Sequence, residues 1–300
     1  MKAKVLLVQN GPATTDTEKN VEENLALVAE ATKDYSPDFV LFSELSNTQY
    51  FCGFNSPEHF KLAEPIDGPS VKRFQELAKQ LNSYVLFPFY EKGEVKGEFY
   101  NSVAVIGRDG ELIPGDLPDG RQVRVYRKNH IPDQWSYSPG LNERYYFKEG
   151  PGLATFNTEY GKISILICYE RSFPEAWRVL ALQGSKIMFV PVAAWGPNRA
   201  DSWGGELRTA AIQNGLFVVA SNKGGVEHTE GPRHFFGASR IISPLGEELA
   251  AAPAGEGPHI LKAELDLDEI EKHGVRYTFF RDRRPELYRT LSDDIARGVL

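Results

Sequence analysis

Apolar residues along this 300-residue chain fall into two rhythms, short bulky runs and repeats at three- to four-residue intervals. Their alternation predicts an α/β protein. Residues 4–9 (KVLLVQ) read as a strand, and Asp16 is placed to cap a helix whose Val21, Leu25 and Val28 share one face. Residues 39–43 (FVLFS) form the next strand. Ser70 is placed to cap a second helix with Val71, Phe74, Leu77 and Leu81 inward. Strands follow at 84–87 and 102–106, the latter closed by the turn pair Asp109-Gly110. The second half repeats this order: strand 163–167, helix 174–183, strand 187–190, helix 203–214, strand 217–220. Further β structure follows at 239–243 and 260–265, around the Pro244-Leu245-Gly246 turn.

Strands this continuously apolar are covered on both faces, whereas the helices are apolar on one side only. Each half should therefore give a mixed sheet with helices on one face, and the two sheets should pack together. The expectation is a four-layer α/β/β/α sandwich with internal pseudo-symmetry of two β-α-β-α-β halves. No linker-like segment divides the chain, so residues 1–300 are read as one domain. Residues 114–124, rich in Gly, Pro and charge, read as a surface loop between the halves.

Composition changes this picture little but excludes several functions. A formal charge of −7 and a pI near 5.5 argue against nucleic acid or anionic membrane as partner. Local basic runs at 121–128 and 281–284 read as solvated or interface segments. The amino-terminal apolar run is too short for a signal peptide, and no later segment could span a bilayer. Cys52 and Cys168 form no paired-thiol motif, which points to a reducing, cytoplasmic setting without disulfides or structural zinc. The GDLPDGR stretch fails the Walker pattern after its last glycine. A G-x-S-x-G elbow and HExxH spacing are absent, so no metal or cofactor is expected.

Candidate chemistry concentrates at residues 163–175 (ISILICYERSFPE). Cys168 lies where a strand ends, and Ser172 with Glu175 has capping-box spacing for a helix in which Pro174 is tolerated. A thiol between a strand's carboxyl end and a helix's amino end occupies a ligand-binding position, where free N–H groups can lower its pKa and receive an oxyanion. The competing reading is a small buried hydrophobe. Glu44 ends another apolar strand, where an unpaired carboxylate would be costly.

Together FSEL around Glu44, YRKNHIPD around Lys128 and ICYERSFPE around Cys168 resemble the three catalytic motifs of the nitrilase superfamily of carbon–nitrogen hydrolases. The resemblance extends to NSVAVIG (101–107), FFGASRIISPLGE (235–247) and RDRRPELY (281–288). It implies Cys168 as nucleophile, Glu44 as the base that takes the thiol proton, and Lys128 with the backbone N–H of Tyr169 as oxyanion donors. NERYYF (142–147) resembles the carbamoylase-type segment that carries a second active-site glutamate, here Glu143. Arg171 matches a position where N-carbamoyl amino acid hydrolases place an arginine on the substrate carboxylate. Ser43 stands where many members have proline, and Glu170 where aspartate is common.

The expected activity is hydrolysis of a non-peptide C–N bond in an N-carbamoyl amine or N-carbamoyl amino acid. An amidase of short amides, or less readily a nitrilase, is the alternative enzyme. A papain-like pair of Cys168 with His130 and a non-catalytic binding protein are the readings from other classes. The tail from about 276 combines aromatic residues with arginine, which suggests an interface and a homodimer or higher oligomer.

Overall fold

The computed structural model of the chain describes residues 1–134, 140–229, 231–255 and 257–292. In chain order its first elements are β1 (Lys2–Gln9), α1 (Thr17–Ala31), β2 (Phe39–Leu41), α2 (Pro69–Leu81), β3 (Tyr84–Lys92) and β4 (Phe99–Ile106). Short strands β5 (Gly115–Asp116), β6 (Gln122–Val123), β7 (Tyr126–Arg127), β8 (Asp133–Gln134) and β9 (Leu141–Asn142) follow. Then come β10 (Thr155–Thr158), β11 (Gly161–Ile165), α3 (Pro174–Leu182), β12 (Ser185–Val192), α4 (Pro197–Asn214) and β13 (Phe217–Asn222). The last elements are β14 (Gly224–His228), β15 (Pro232–Phe236), β16 (Arg240–Ile242), β17 (Glu248–Ala251), β18 (His259–Asp266) and α5 (Asp268–Arg276).

One sheet has the order β18-β1-β2-β3-β4-β7 and the other β17-β16-β13-β12-β11-β10-β5-β6. The trios β1-β2-β3 and β11-β12-β13 are parallel, with α1 and α2, and α3 and α4, as their crossovers. Antiparallel strands flank each trio, β18 and β4 in the first sheet and β10 and β16 in the second. The expected pseudo-symmetric halves are therefore present. They also exchange strands: β18, late in the chain, joins the first sheet, and β5 and β6, from the first half, extend the second.

Alternation along the strands builds the layers, because neighbouring side chains point to opposite faces. Val5 and Leu7 of β1 pack with Ile187 and Phe189 of β12 in the cluster between the sheets. Leu6 and Val8 face α1 and α2 instead, alongside Val28, Phe74 and Leu77. Met188 and Val190 meet Trp177 of α3 and Leu207 of α4. The result is the α/β/β/α sandwich. Each fully buried side chain of this size favours folding by about 1.5–3 kcal/mol through removal from water.

Several local expectations need correction. Asp16 caps α1 through Lys19 N–H at 3.0 Å, but Ser70 caps nothing. α2 starts at Pro69, whose fixed φ suits a first turn, while the Ser70 N–H and hydroxyl donate to Glu64 at 2.9 and 2.8 Å. Ser172 likewise lies within a 3₁₀ turn, Cys168–Ser172, and α3 begins at Pro174 with no side-chain cap. α4 starts at Pro197, six residues before the expected Trp203. The stretch 114–124 is no plain loop, since β5 and β6 pair antiparallel within it. Among the described residues no helix is long and apolar enough to cross a membrane.

Candidate active site

The parallel strands β2, β11 and β12 end on one side of the sandwich, and the chain just past each of them supplies part of the site. Glu44 follows β2, Cys168 follows β11, and Ala193 follows β12. Lys128 comes directly after β7 at the sheet edge, and its N–H donates to Asn101 O of β4 at 2.9 Å. Glu143 opens a 3₁₀ turn after β9.

These segments bring three charges together. Lys128 Nζ lies 2.9 Å from Glu44 Oε1 and 2.6 Å from Glu143 Oε2, and none of the three residues has measurable exposure. Further donors hold both carboxylates. Asn101 Nδ2 donates to Glu44 Oε1 at 2.7 Å and Ala193 N–H to Glu44 Oε2 at 2.9 Å. The Tyr50 hydroxyl donates to Glu143 Oε1 at 2.7 Å. Lys128 is thus no solvated member of a basic run, and Glu143 is no exposed loop carboxylate. An ion cluster with both sides hydrogen-bonded is the form in which buried charge is tolerable.

Beside the cluster, Cys168 lines a pocket with Tyr50, Glu143, Tyr169, Arg171 and Trp195. Cys168 has φ +51°, a left-handed conformation that strains a residue with a Cβ. Glu170 holds this turn from beneath. It is buried and accepts from Ile167 N–H at 2.8 Å, Asn129 N–H at 2.9 Å and the Tyr126 hydroxyl at 2.9 Å. Glu170 therefore binds the backbone of two segments, one before the cysteine and one after Lys128. Ser43 uses the N–H that a proline would lack, donating to Asn10 Oδ1 at 2.7 Å.

The electrostatics overturn one expectation. Burial, with the Glu44 charge adding to it, pushes the Cys168 thiol up to about 12, against the lowering pull of Lys128 and Arg171. A 3₁₀ turn rather than an α-helix begins at the cysteine, and two carboxylates lie close, so no depressed pKa results. Burial and the Glu44 charge likewise raise Glu143 to about 7, although Lys128 opposes them. Burial alone would depress the Lys128 ammonium, but Glu143 and Glu44 outweigh it and the net direction is upward.

Arg171 is buried against the Trp203 ring, with 5.1 Å from guanidinium to centroid. Its Nη1 donates to Cys168 O at 2.7 Å, and its Nε lies 3.3 Å from Glu206, which also holds Arg199 at 2.9 and 3.0 Å. The acidic neighbour of Arg171 is thus Glu206 of α4. His130 is turned away from a papain-like arrangement: its ring stacks on Phe173 at 4.0 Å, with Nδ1 3.7 Å from Glu170.

Sequence reasoning missed Tyr50, Asn101 and the Ala193 N–H. Asn101 was visible as a polar residue opening an apolar strand. Tyr50 lies in an irregular stretch without periodicity, and a backbone N–H leaves no mark in a sequence.

Comparison with known proteins gives the same direction. The carbon–nitrogen hydrolase family matches residues 4–273. An N-carbamoylputrescine amidase from Solanum lycopersicum is 37% identical over 93% of this chain and 91% of its own length. A citrullinase from Francisella tularensis is 34% identical over 93% of this chain and 94% of its own. A crystal structure of a carbon–nitrogen hydrolase from Helicobacter pylori superposes with a TM-score of 0.87 at 31% identity, covering 98% of this chain and 99% of that one.

Proposed function

Because the chain belongs to the carbon–nitrogen hydrolase family, we propose that it hydrolyses the C–N bond of an N-carbamoyl amine or N-carbamoyl amino acid, with Cys168 as nucleophile. The buried Glu44–Lys128–Glu143 cluster beside the cysteine pocket carries this reading. The names of the tomato and Francisella relatives support the carbamoyl substrate class.

Burial and the Glu44 charge disfavour the Cys168 thiolate, so its proton is proposed to leave as the C–S bond forms. Glu44 takes that proton while Sγ attacks the carbonyl carbon. The C=O electron pair moves to oxygen, where the Lys128 ammonium and the Tyr169 N–H are the proposed donors. Collapse of the tetrahedral species breaks the C–N bond, and Glu44 returns the proton to the departing nitrogen. Glu44 then deprotonates water, which attacks the thioester-type carbonyl; collapse breaks the C–S bond, and Glu44 passes the proton to the departing Cys168 Sγ. Glu143, which lines the same pocket and contacts Lys128, orients the ammonium and the substrate nitrogen.

Arg171 is proposed to bind a carboxylate on the substrate's other end. It lines the cysteine pocket, and two guanidiniums share the single Glu206 carboxylate there, which supports a net positive wall. A planar guanidinium suits a bidentate carboxylate contact.

The chain from about 276 is proposed to form the interface of a homodimer or a larger assembly of dimers. Val179 and Leu182 of α3, with Phe279, Tyr288 and Leu291 of the tail, leave apolar surface exposed along one groove. Surfaces of this kind mark association sites. The free thiols of Cys52 and Cys168 suit a reducing, cytoplasmic setting.

Ammonia release from a panel of N-carbamoyl amino acids, N-carbamoyl amines, short amides and nitriles tests the reading. Turnover should be confined to the carbamoyl compounds and should vanish in folded Cys168→Ala. Parental turnover by that variant, or a preference for nitriles, would remove the proposal.

A further inference from the structure

Outside both sheets, β14 and β15 form a separate hairpin in which Glu227 and Arg233 stand directly opposite one another. Both side chains are buried, as is Lys223 just before the hairpin. Lys223 Nζ donates to Glu227 Oε1 at 2.8 Å and to Thr48 O at 2.9 Å. Glu227 Oε2 accepts from the Tyr50 N–H at 2.7 Å, and Arg233 Nη1 donates to Tyr50 O at 3.0 Å. The Arg233 guanidinium also lies 4.4 Å from the Trp195 ring and 5.2 Å from the Tyr50 ring. Three buried charges thus bind three backbone groups of one irregular segment.

We propose that this hairpin is a clamp for Tyr50, in which Glu227 and Arg233 act as positioning residues. They hold the two peptide groups flanking the tyrosine so that its hydroxyl stays on Glu143. Buried ion pairs add little net stability compared with apolar residues of similar size, so a wholly stabilising role explains this group poorly. Its placement explains it better. The segment at residues 48–50 has no ladder of its own to fix it, yet its side chain ends 2.7 Å from a carboxylate that also contacts Lys128. Misplacement of a supporting group by about 1 Å costs catalysis heavily even when every reacting group is present. The clamp rests on the reading above that Glu143 belongs to the reacting site.

The experiment compares two paired substitutions that remove the Lys223 and Glu227 charges together, and both pairs leave the Arg233 guanidinium in the same state. Lys223→Met with Glu227→Leu deletes the acceptor for the Tyr50 N–H, whereas Lys223→Met with Glu227→Gln keeps one. Each pair is made in the parent and in a Tyr50→Phe background, and kcat is measured per folded enzyme. The Leu pair should lose kcat by about ten- to a hundredfold, and the Gln pair should recover most of it. In the Tyr50→Phe background the two pairs should be indistinguishable. Equal activity of the Leu and Gln pairs in the parent, or a Leu-pair deficit that persists undiminished without the tyrosine hydroxyl, overturns the clamp. Arg233→Met, acting on the opposite peptide group, enters the same cycle and keeps the test open if a paired variant fails to fold; its loss should likewise vanish in Tyr50→Phe. Glu143→Gln separates the two claims. A parental kcat in that variant overturns the reading of the site and the clamp with it, whereas a large loss there with a silent clamp overturns the clamp alone.

Discussion

The Lys128 ammonium lies 2.6 Å from Glu143, and both side chains are buried. Glu44, 2.9 Å away, gives this one cation a second carboxylate, so with a neutral thiol and both carboxylates ionised the cluster is formally −1. In the proposed reaction, proton transfer from Cys168 to Glu44 neutralises one carboxylate as the oxyanion appears. The net charge of the cluster stays constant through the step. A buried site can tolerate relocation of charge far better than a gain of charge.

This balance gives the first expectation. Lys128→Met leaves two buried carboxylates without their cation, so both activity and stability should fall. Stability should drop by about 3–5 kcal/mol, and loss of an oxyanion donor should lower kcat roughly a hundred- to a thousandfold. Glu44→Gln should abolish proton transfer with less loss of stability. His130→Asn, away from the cluster, should affect both only mildly. Steady-state rates and urea midpoints check the ranking, which is reversed if His130 is the base.

Alkylation reports the thiol directly. Because burial and Glu44 hold Cys168 near 12, its reaction with iodoacetamide should keep rising with pH and show no plateau below about pH 9, the ordinary thiol range. Glu44→Gln removes a raising charge and should accelerate labelling at fixed pH. Cys52, fully buried, should remain unlabelled by mass spectrometry. A plateau near neutrality in the parent would contradict the electrostatics described.

Glu143 predicts a pH-dependent stability. Its carboxyl is raised from 4.5 to about 7 in the folded protein, so between those values the folded state holds more of the proton than the unfolded state. Its contribution is therefore fully present below 4.5 and is lost as pH rises through about 7. Urea denaturation across this range should show that slope in the parent, and Glu143→Gln should flatten it.

Arg171→Ala should narrow or erase any preference for carboxylate-bearing N-carbamoyl compounds over neutral ones, and Arg171→Lys should weaken the carboxylated substrate selectively. The measurement is kcat/KM for one substrate of each kind across three proteins. An unchanged ratio would leave Arg171 as a brace between Cys168 O and Glu206.

For assembly, sedimentation at micromolar concentration should find a dimer or larger species, and Leu291→Asp should shift it toward monomer. A parent protein that sediments only as monomer removes this proposal and leaves the catalytic one intact.

The readable parts of the molecule were those with a periodic or local signature. Alternating apolar strands and one-sided helices gave the four layers, and Glu44, Lys128 and Cys168 sat in recognisable flanking sequence. Helix starts were misread at Ser70 and Ser172 because Pro69 and Pro174 already supply the first-turn geometry that a capping serine would otherwise stabilise. The supports of the site were hidden for a different reason. Tyr50, Asn101 and Ala193 act through pairings far apart in sequence, and Glu227 reaches Tyr50 from 177 residues away.

The pairing of β1 with β18 has a consequence for synthesis. Lys2 pairs with Asp266 and Gln9 with His259, so the partner of β1 leaves the ribosome only after all the residues between Gln9 and His259 have been made. Until then β1 is an open edge of apolar residues, able to pair with another nascent chain. The first sheet can be completed only after β18 has emerged, and so long a loop closure makes this step slow. Truncation before residue 259 should therefore yield aggregates rather than a smaller folded protein.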